Sequence, residues 1–144
     1  MRYADLAGTQ ILVHFVFAVK DYEPLILSEV EGPFYQYLAE LIEKRGHHLI
    51  VANGMQDHIH ILLGLKPTEN VSELVKVVKR ASTIWMRNRF ESLETFSWEP
   101  GYAAISCSRR SMHQVVSYIR NQKAHHSVKT FQEECDLFLN YLRH

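Results

Sequence analysis

Segments with strand-like and helix-like patterns follow one another along this chain in the order β-α-β-β-α-β. The strand-like segments are rich in β-branched and aromatic residues, whereas the helix-like segments repeat apolar residues every three or four positions. The predicted strands are Thr9–Lys20, His47–Asn53, His58–Leu65 and Ala103–Ser108, and the predicted helices are Ser28–Arg45, Val71–Phe90 and Ser111–His126, with a terminal helix or docked tail over Phe131–Leu142.

This order of elements matches the split βαβ arrangement. The sequence therefore predicts an α+β fold of the ferredoxin-like or RRM-like kind, in which an antiparallel sheet carries helices on one face. The third strand, His58–Leu65, is expected to lie centrally in that sheet. At 144 residues the chain is long enough to bury one core, so we interpret residues 1–144 as a single domain.

The composition limits the compartment in which the chain is expected to work. No run of 18 or more apolar residues is present, which argues against a membrane span or a membrane partner. The first residues, Met1–Asp5, lack the apolar segment of a secretory signal. Cys107 and Cys135 do not have a metal-binding spacing and are expected to be reduced thiols. These features together predict a cytoplasmic protein.

Positive charge is concentrated in the second half of the chain, although the formal net charge is zero. The window from Val71 to Thr130 holds ten basic and four acidic residues, which leaves an equal negative excess elsewhere. This asymmetry indicates a polyanionic partner on one side of the molecule, although a solvated charged face would give the same pattern. Six basic side chains are the candidates for contacts with the phosphates of a nucleic acid: Lys76, Lys79, Arg80, Arg87, Arg120 and Lys123.

Two histidines, His58 and His60, stand two residues apart in the third predicted strand. A strand places alternate residues on one face, so both imidazoles are expected on the same side of the sheet. Imidazoles are common ligands of divalent metals. The alternative is a pair of surface histidines, or histidines hydrogen-bonded beneath a loop. The preceding Asp57 would either orient one of the histidines or form a turn.

Tyr118 and Gln122 are four residues apart in the last predicted helix, one turn from each other on the same face. Gln122 offers a neutral carbonyl oxygen as a third metal ligand. A phenol with a pKa of about 10 is protonated at neutral pH, so Tyr118 would need a nearby metal or cation to act as a nucleophile. Otherwise it is a tyrosine at the edge of the core. Combined with the histidines, the pair fits attack of a tyrosine on a DNA phosphodiester.

Several longer stretches carry a resemblance to a known family over nearly the whole chain. They are Leu12–Phe17, Met55–Leu62, Leu74–Ser82, Trp98–Ala104 and Tyr118–His126. The chain resembles the small single-tyrosine transposases of the HUH superfamily, which move insertion sequences as single-stranded DNA. The motif that names the superfamily corresponds to His58, Ile59 and His60.

The resemblance implies an activity and a set of site residues. His58 and His60 would bind a divalent metal, Mg²⁺ or Mn²⁺, with Gln122 as a further ligand. Tyr118 would attack the DNA and retain the 5′ phosphate as a phosphotyrosine, leaving a free 3′-OH. Members of the family are homodimers that recognise DNA hairpins at element ends, and the tyrosine helix of one subunit often completes the histidine site of the other.

The chain also departs from the family pattern. Gln56 replaces a usual proline, Ala103 stands where glycine is common, and the tract Lys20–Glu23 is less basic than is typical, which bears on DNA affinity or specificity. Two alternatives remain: a domesticated relative that processes repeat palindromes, and a non-enzymatic RRM-like module that binds nucleic acid. A small metallohydrolase is disfavoured because the histidines lack a conventional third zinc ligand nearby.

The sequence leaves the roles of eight other residues open. Three aromatic residues could stack on unpaired bases or serve in the core: Phe96, Trp98 and Tyr102. The remaining histidines could be structural, solvent-facing or in contact with phosphate: His14, His47, His48, His125 and His126.

Overall fold

The computed structural model describes residues 8–125. Its strands are β1 (Leu12–Ala18), β2 (His48–Gly54), β3 (His58–Gly64) and β4 (Ala103–Cys107), and its helices are α1 (Ser28–Lys44), α2 (Val71–Arg89), α3 (Met112–Arg120) and α4 (Gln122–His125). Short 3₁₀ turns cover Lys20–Tyr22 and Glu91–Leu93. The predicted element over Phe131–Leu142 lies outside the described residues.

The four strands form one antiparallel sheet in the order β2-β3-β1-β4. This confirms the α+β, ferredoxin-like prediction and the central position of the strand that carries the histidines. Within residues 8–125, no helix has the length and apolar character that crossing a membrane requires.

One face of the sheet forms the main core with α1 and α2. Alternate residues of β1 and β3 point to this side, and the helices contribute apolar residues at helical spacing. The central part of this core consists of Val13, Phe15, Phe17, Ile59, Ile61, Leu63, Phe34, Leu38, Leu74 and Val78. The two helices of the ferredoxin-like order therefore share one face, as predicted.

The opposite face carries the histidines and is covered by the additional helix α3. A smaller apolar cluster of Leu12, Leu62 and Ile119 holds this helix against the sheet. Because α3 covers this side, six of the seven residues of β3 are buried even though histidine alternates with aliphatic residues along it. The site is therefore built between β3 and α3.

The last predicted helix differs from the sequence expectation. Instead of one helix from Ser111 to His126, α3 ends at Arg120 and α4 begins at Gln122. Asn121 between them has φ −96° and ψ 20°, and its N–H bonds to the carbonyls of Ser117 and Ile119. The chain therefore turns at Asn121, immediately before Gln122.

Candidate functional site

The two motif histidines lie side by side in the buried layer between β3 and α3. Neither His58 nor His60 has measurable solvent exposure, and their ring centroids are 5.2 Å apart. The β2–β3 connection fixes where this strand begins. A Cβ atom on Gly54 would lie 2.2 Å from the carbonyl oxygen of His58, so only glycine fits this close approach of the two strands.

Asp57 orients the first of these histidines. Its Oδ1 is 2.7 Å from Nδ1 of His58, and an ionised carboxylate only accepts hydrogen bonds, so Nδ1 carries the proton. Nε2 of the same ring points to Gln122, whose Oε1 is 3.2 Å away. The sequence left open whether Asp57 orients a histidine or only forms a turn, and this contact assigns it the orienting position.

Gln122 directly follows the turn at Asn121 and faces His58. Its side chain is fully buried, and Nε2 donates to the carbonyl of Tyr118 at 3.5 Å, which leaves Oε1 for His58. Two electron-pair donors, Oε1 and the Nε2 of His58, therefore face each other. This contact is favourable with a proton or a metal cation between the two atoms.

The donor set fits a divalent cation. Adjacent ligands of an octahedral magnesium ion, each about 2.1 Å from the metal, stand about 3 Å apart, which is close to the separation of these two atoms. Within the described part of the chain, no three or more His, Cys, Asp or Glu side chains are grouped so that they could hold a metal ion. Two imidazoles would therefore rely on the amide oxygen of Gln122, and such nitrogen and oxygen donors suit Mn²⁺ or Mg²⁺ better than a thiolate-rich site would.

Tyr118 lies over the second histidine. Its ring meets that of His60 edge to face, with centroids 5.6 Å apart and planes at 88°. The side chain is half-buried, so it borders both the histidine layer and the solvent. The structure thus brings together all four residues that the sequence proposed for chemistry: Tyr118, His58, His60 and Gln122.

The end of α3 is fixed to the edge strand β2 by a small polar cluster. Nδ2 of Asn53 donates to the carbonyls of Ile119 and Arg120, at 3.1 Å each. Nζ of Lys123 donates to Oδ1 of Asn53 at 3.2 Å, to the carbonyl of Gly54 at 3.3 Å and to the carboxylate of Glu31. The carbonyls of Ile119 and Arg120 belong to the last turn of α3, where intrahelical donors are missing. The tyrosine helix is therefore docked on the sheet of its own chain.

His14 is a buried neighbour of the site to which the sequence assigned no definite role. It lies on β1 with 4% of its surface exposed, and its Nε2 is 2.8 Å from Nδ1 of His60. Its ring is also 6.4 Å from that of Tyr118, at 70°. The signal for this contact is the pairing of β1 with β3, which sets Val16 opposite His60 and makes His14 a diagonal neighbour. The register of that pairing is not readable from the sequence.

The four basic candidates on α2 lie on the other side of the sheet from the histidines, because α2 packs on the face of Phe15 and Phe17. Two of them are occupied by backbone carbonyls: Lys79 donates to Glu99 at 2.8 Å and to Gly101, and Nε of Arg87 donates to Phe96 at 2.8 Å. Partial burial lowers the pKa of Lys79. The remaining two, Lys76 and Arg80, are exposed, with Lys76 3.6 Å from Glu73.

Arg120 and Lys123 lie at the docked end of the tyrosine helix. Arg120 is exposed, whereas Lys123 takes part in the polar cluster with Asn53. Of the basic candidates, these two are therefore the ones on the histidine face.

The three aromatic candidates for base stacking separate into two groups. Phe96 and Trp98 are buried in the main core, and Nε1 of Trp98 donates to the hydroxyl of Ser82 at 2.9 Å. Tyr102 is 44% exposed. The core interpretation therefore holds for Phe96 and Trp98.

Two further histidines of the open group have clear surroundings. His47 is buried, accepts a hydrogen bond from the backbone N–H of Lys66, and lies 2.9 Å from the carboxylate of Glu69. His48 is exposed, 3.5 Å from Glu43. Neither histidine contributes to the site between β3 and α3.

The chain matches a known family of proteins. Residues 7–122 match the family described as IS200-like transposases. The chain is 26% identical over 118 residues to the ISDra2 transposase TnpA of Deinococcus radiodurans, in a match that takes in 78% of this chain and 84% of the relative.

Two solved structures have the same fold. A crystal structure described as a transposase from Deinococcus radiodurans R1 matches with a TM-score of 0.68 and 26% identity, over 85% of this chain and 98% of that one. A REP-associated tyrosine transposase bound to a REP hairpin matches with a TM-score of 0.64 over 88% of this chain and 72% of that one. At 14% identity the second likeness concerns the fold alone. Because the family match takes in the strands, both motif histidines, Tyr118 and Gln122, this chain belongs to the IS200-like family of DNA transposases.

Proposed function

We propose that this protein cleaves and rejoins single-stranded DNA at the ends of an insertion element, with Tyr118 as the nucleophile and a divalent metal, Mg²⁺ or Mn²⁺, held by His58, His60 and Gln122. The observation that carries the proposal is the meeting of these residues between β3 and α3. Tyr118 packs on the ring of one motif histidine, and Gln122 directs its oxygen at the other.

The proposed reaction exchanges one phosphodiester for another. The phenol oxygen of Tyr118 forms a bond to phosphorus, and the bond from phosphorus to the 3′ oxygen of the preceding nucleotide breaks. The phenol loses its proton and the departing 3′ oxygen gains one, so that a 3′-OH and a 5′-phosphotyrosine result. Because the new ester conserves the energy of the old one, attack by a DNA 3′-OH reverses the step and joins two strands.

Other residues of the chain prepare this step. Asp57 keeps the proton of His58 on Nδ1, and Gln122 is oriented through its hydrogen bond to the backbone of Tyr118. The metal, when bound, supplies positive charge that polarises the phosphate and favours the phenolate. Burial of the histidines beneath α3 excludes water, so that the electrostatic interactions in this layer are stronger than they would be in solvent.

The proposed DNA contacts use exposed positive charge on both sides of the sheet. Lys76 and Arg80 on α2, together with Arg120 beside the site, have the exposure that phosphate contacts need. Lys79, Arg87 and Lys123 carry charge as well, but each of them is bonded to protein oxygens. We therefore expect these three to contribute less to DNA affinity than the three others.

Hairpin recognition at element ends is also part of the proposal. It is favoured by the fold that this chain shares with a tyrosine transposase whose structure contains a REP hairpin. Assembly as a homodimer and a cytoplasmic location stay predictions. In the arrangement described here, the tyrosine helix reaches the histidines of its own chain, so a composite site shared by two subunits is not needed to bring the four residues together.

The proposal is tested with single-stranded oligonucleotides that span the flanks of the gene, labelled at the 3′ end in one series and at the 5′ end in another. With Mg²⁺ or Mn²⁺ present, the 3′-labelled strand should become attached to the protein in denaturing electrophoresis. The 5′-labelled strand should be shortened to a product with a free 3′-OH. Chelation of the metal should abolish both products.

Variants separate the proposed enzyme from a binding module. Tyr118→Phe and His58→Ala should each abolish the adduct. Tyr37→Phe is the matched control, because Tyr37 stacks on Trp85 at 5.0 Å on the far side of the sheet and keeps its ring in the variant. An adduct that persists in Tyr118→Phe would refute the assignment of the nucleophile. Hairpin binding by the folded protein without any cleavage would favour the RRM-like module.

A further inference from the structure

We infer that His14 is a positioning residue that orients His60 for metal binding, an inference that rests on the function proposed above. Nε2 of His14 and Nδ1 of His60 are 2.8 Å apart, and both side chains are buried. One of these two nitrogen atoms must carry a proton and donate it to a hydrogen bond, and the other must accept that hydrogen bond. The direction of this hydrogen bond decides which nitrogen of His60 is available to a metal.

The direction follows from the chemistry of a neutral imidazole, which has one N–H and one acceptor nitrogen. If His60 donates from Nδ1, its Nε2 carries no proton and is available as a ligand. If His14 donates instead, the proton of a neutral His60 is on Nε2, and that atom is blocked. Metal binding through Nε2 therefore requires His14 to accept, with its own proton on Nδ1.

The neighbouring histidine has the same arrangement with a different acceptor. His58 donates from Nδ1 to the carboxylate of Asp57 at 2.7 Å, and its Nε2 faces Gln122. Histidines that bind metals commonly donate their other N–H to such an outer acceptor. His14 occupies for His60 the position that Asp57 occupies for His58. The two histidines of the motif are thus held in the same tautomer.

The different choice of acceptor has a physical reason. Asp57 lies at the start of β3, where its side chain is 28% exposed and its charge is partly solvated. His14 lies in the middle of β1, with 4% exposure, beneath α3. An ionised carboxylate at that place would pay a large desolvation cost, whereas a neutral imidazole accepts the bond without a buried charge.

Binding of Mn²⁺ alone, measured by calorimetry and by electron paramagnetic resonance, tests the inference without DNA and without turnover. His14→Phe keeps an aromatic ring but removes the acceptor, and it should weaken Mn²⁺ binding by about 10- to 100-fold. His14→Gln can place an amide oxygen near the position of the lost nitrogen, and it should bind Mn²⁺ within about threefold of the wild type. His60→Ala, which removes the ligand itself, should abolish Mn²⁺ binding.

The outcomes distinguish this inference from the proposed function. If the wild type binds Mn²⁺ and His60→Ala abolishes binding, but His14→Phe binds as tightly as the wild type, the role of His14 is refuted while the metal site stands. If the wild type does not bind Mn²⁺, both are refuted.

A measurement on the wild-type protein does not depend on how the variants fold. In ¹⁵N-histidine NMR with Mg²⁺, His60, assigned by comparison with His60→Ala, should carry its proton on Nδ1. A proton on Nε2 of His60 would overturn the inference.

Discussion

Asn53→Ala should loosen the tyrosine helix without unfolding the protein. The wild-type side chain donates to the carbonyls of Ile119 and Arg120 at 3.1 Å each and accepts from Lys123 at 3.2 Å. A hydrogen bond in a protein contributes about 0.5–1.5 kcal/mol net, so loss of the two donated bonds should cost about 1–3 kcal/mol. Because the carbonyls lie at the end of α3, this cost should appear as local opening of that end.

Hydrogen exchange measures the opening directly. Each 1.4 kcal/mol changes an equilibrium tenfold, so the amides of residues 119–123 should exchange about 5- to 150-fold faster in Asn53→Ala. Exchange in the main core should stay near the wild-type rate. The adduct with single-stranded DNA should form more slowly, because Tyr118 and Gln122 lie on the segment that opens.

The matched control for this experiment lies on the same helix end. Asn121→Ala removes a bond from Nδ2 of Asn121 to the hydroxyl of Ser117, 3.3 Å long, which does not reach the sheet. This variant should change exchange much less than Asn53→Ala. If Asn53→Ala exchanges at the wild-type rate over residues 119–123, or faster by the same factor throughout the molecule, the docking role of Asn53 is refuted.

Three other predictions concern charge and buried polarity. The hydrogen bond from Arg45 lowers the pKa of Glu69 from 4.5 to about 2, so the stability that this carboxylate contributes is present above pH 4.5 and is lost as the pH falls towards 2. Glu69→Gln should therefore flatten the dependence of Tm on pH in that window, and an unchanged slope would contradict the pairing. Ser82→Ala leaves the buried indole N–H of Trp98 without its acceptor. The free energy of unfolding, measured in urea, should fall by about 1–3 kcal/mol, and a change near zero would mean that the bond contributes little. Arg80→Met should reduce the slope of log affinity for single-stranded DNA against log salt concentration by about 0.7. Lys79→Met should mainly lower Tm, because the ammonium group of Lys79 holds the loop before β4. The reverse pattern would assign Lys79 to the DNA surface.

The element order and the position of the motif strand were predictable because they depend on short-range patterns. The alternation of His58, Ile59, His60 and Ile61 specifies a strand with one histidine face and one aliphatic face. The apolar spacing of α1 and α2 specifies helices that cover the aliphatic face. A sequence without this alternation would not have supported the prediction of the two faces, because a shift of one residue moves every side chain of a strand to the opposite face of the sheet.

The position of α2, which carries Lys76 and Arg80, could have been inferred from the same alternation. If Ile59 and Ile61 face α2, then the histidines face away from it, and Lys76 and Arg80 must lie on the far side of the sheet. The sequence therefore held this information, although charge density alone suggested one continuous basic surface. For Phe96 and Trp98, aromatic character was an ambiguous signal, because the same side chains serve cores and base stacking.

Other parts of the site depend on contacts between distant segments. The bond of His14 to His60 requires the register of β1 against β3, which no local pattern specifies. The turn at Asn121 interrupts a segment whose composition favours one continuous helix. Asn53 and Lys123 are 70 residues apart and meet only because β2 and the end of α3 are adjacent. Such pairings are tertiary and lie beyond a single-sequence pattern.

The central claim, that Tyr118 forms the covalent bond to DNA, is tested most directly by locating the adduct in the protein. Trypsin cleavage after Arg110 and Arg120 would release a peptide of residues 111–120 that contains Tyr118 and no other tyrosine. After reaction with single-stranded DNA and Mg²⁺ and digestion of the DNA, mass spectrometry should find a 5′-phosphonucleotide on Tyr118 in this peptide. A modified nucleotide on any other residue, or an unmodified peptide in a preparation that has cleaved its DNA, would contradict the account.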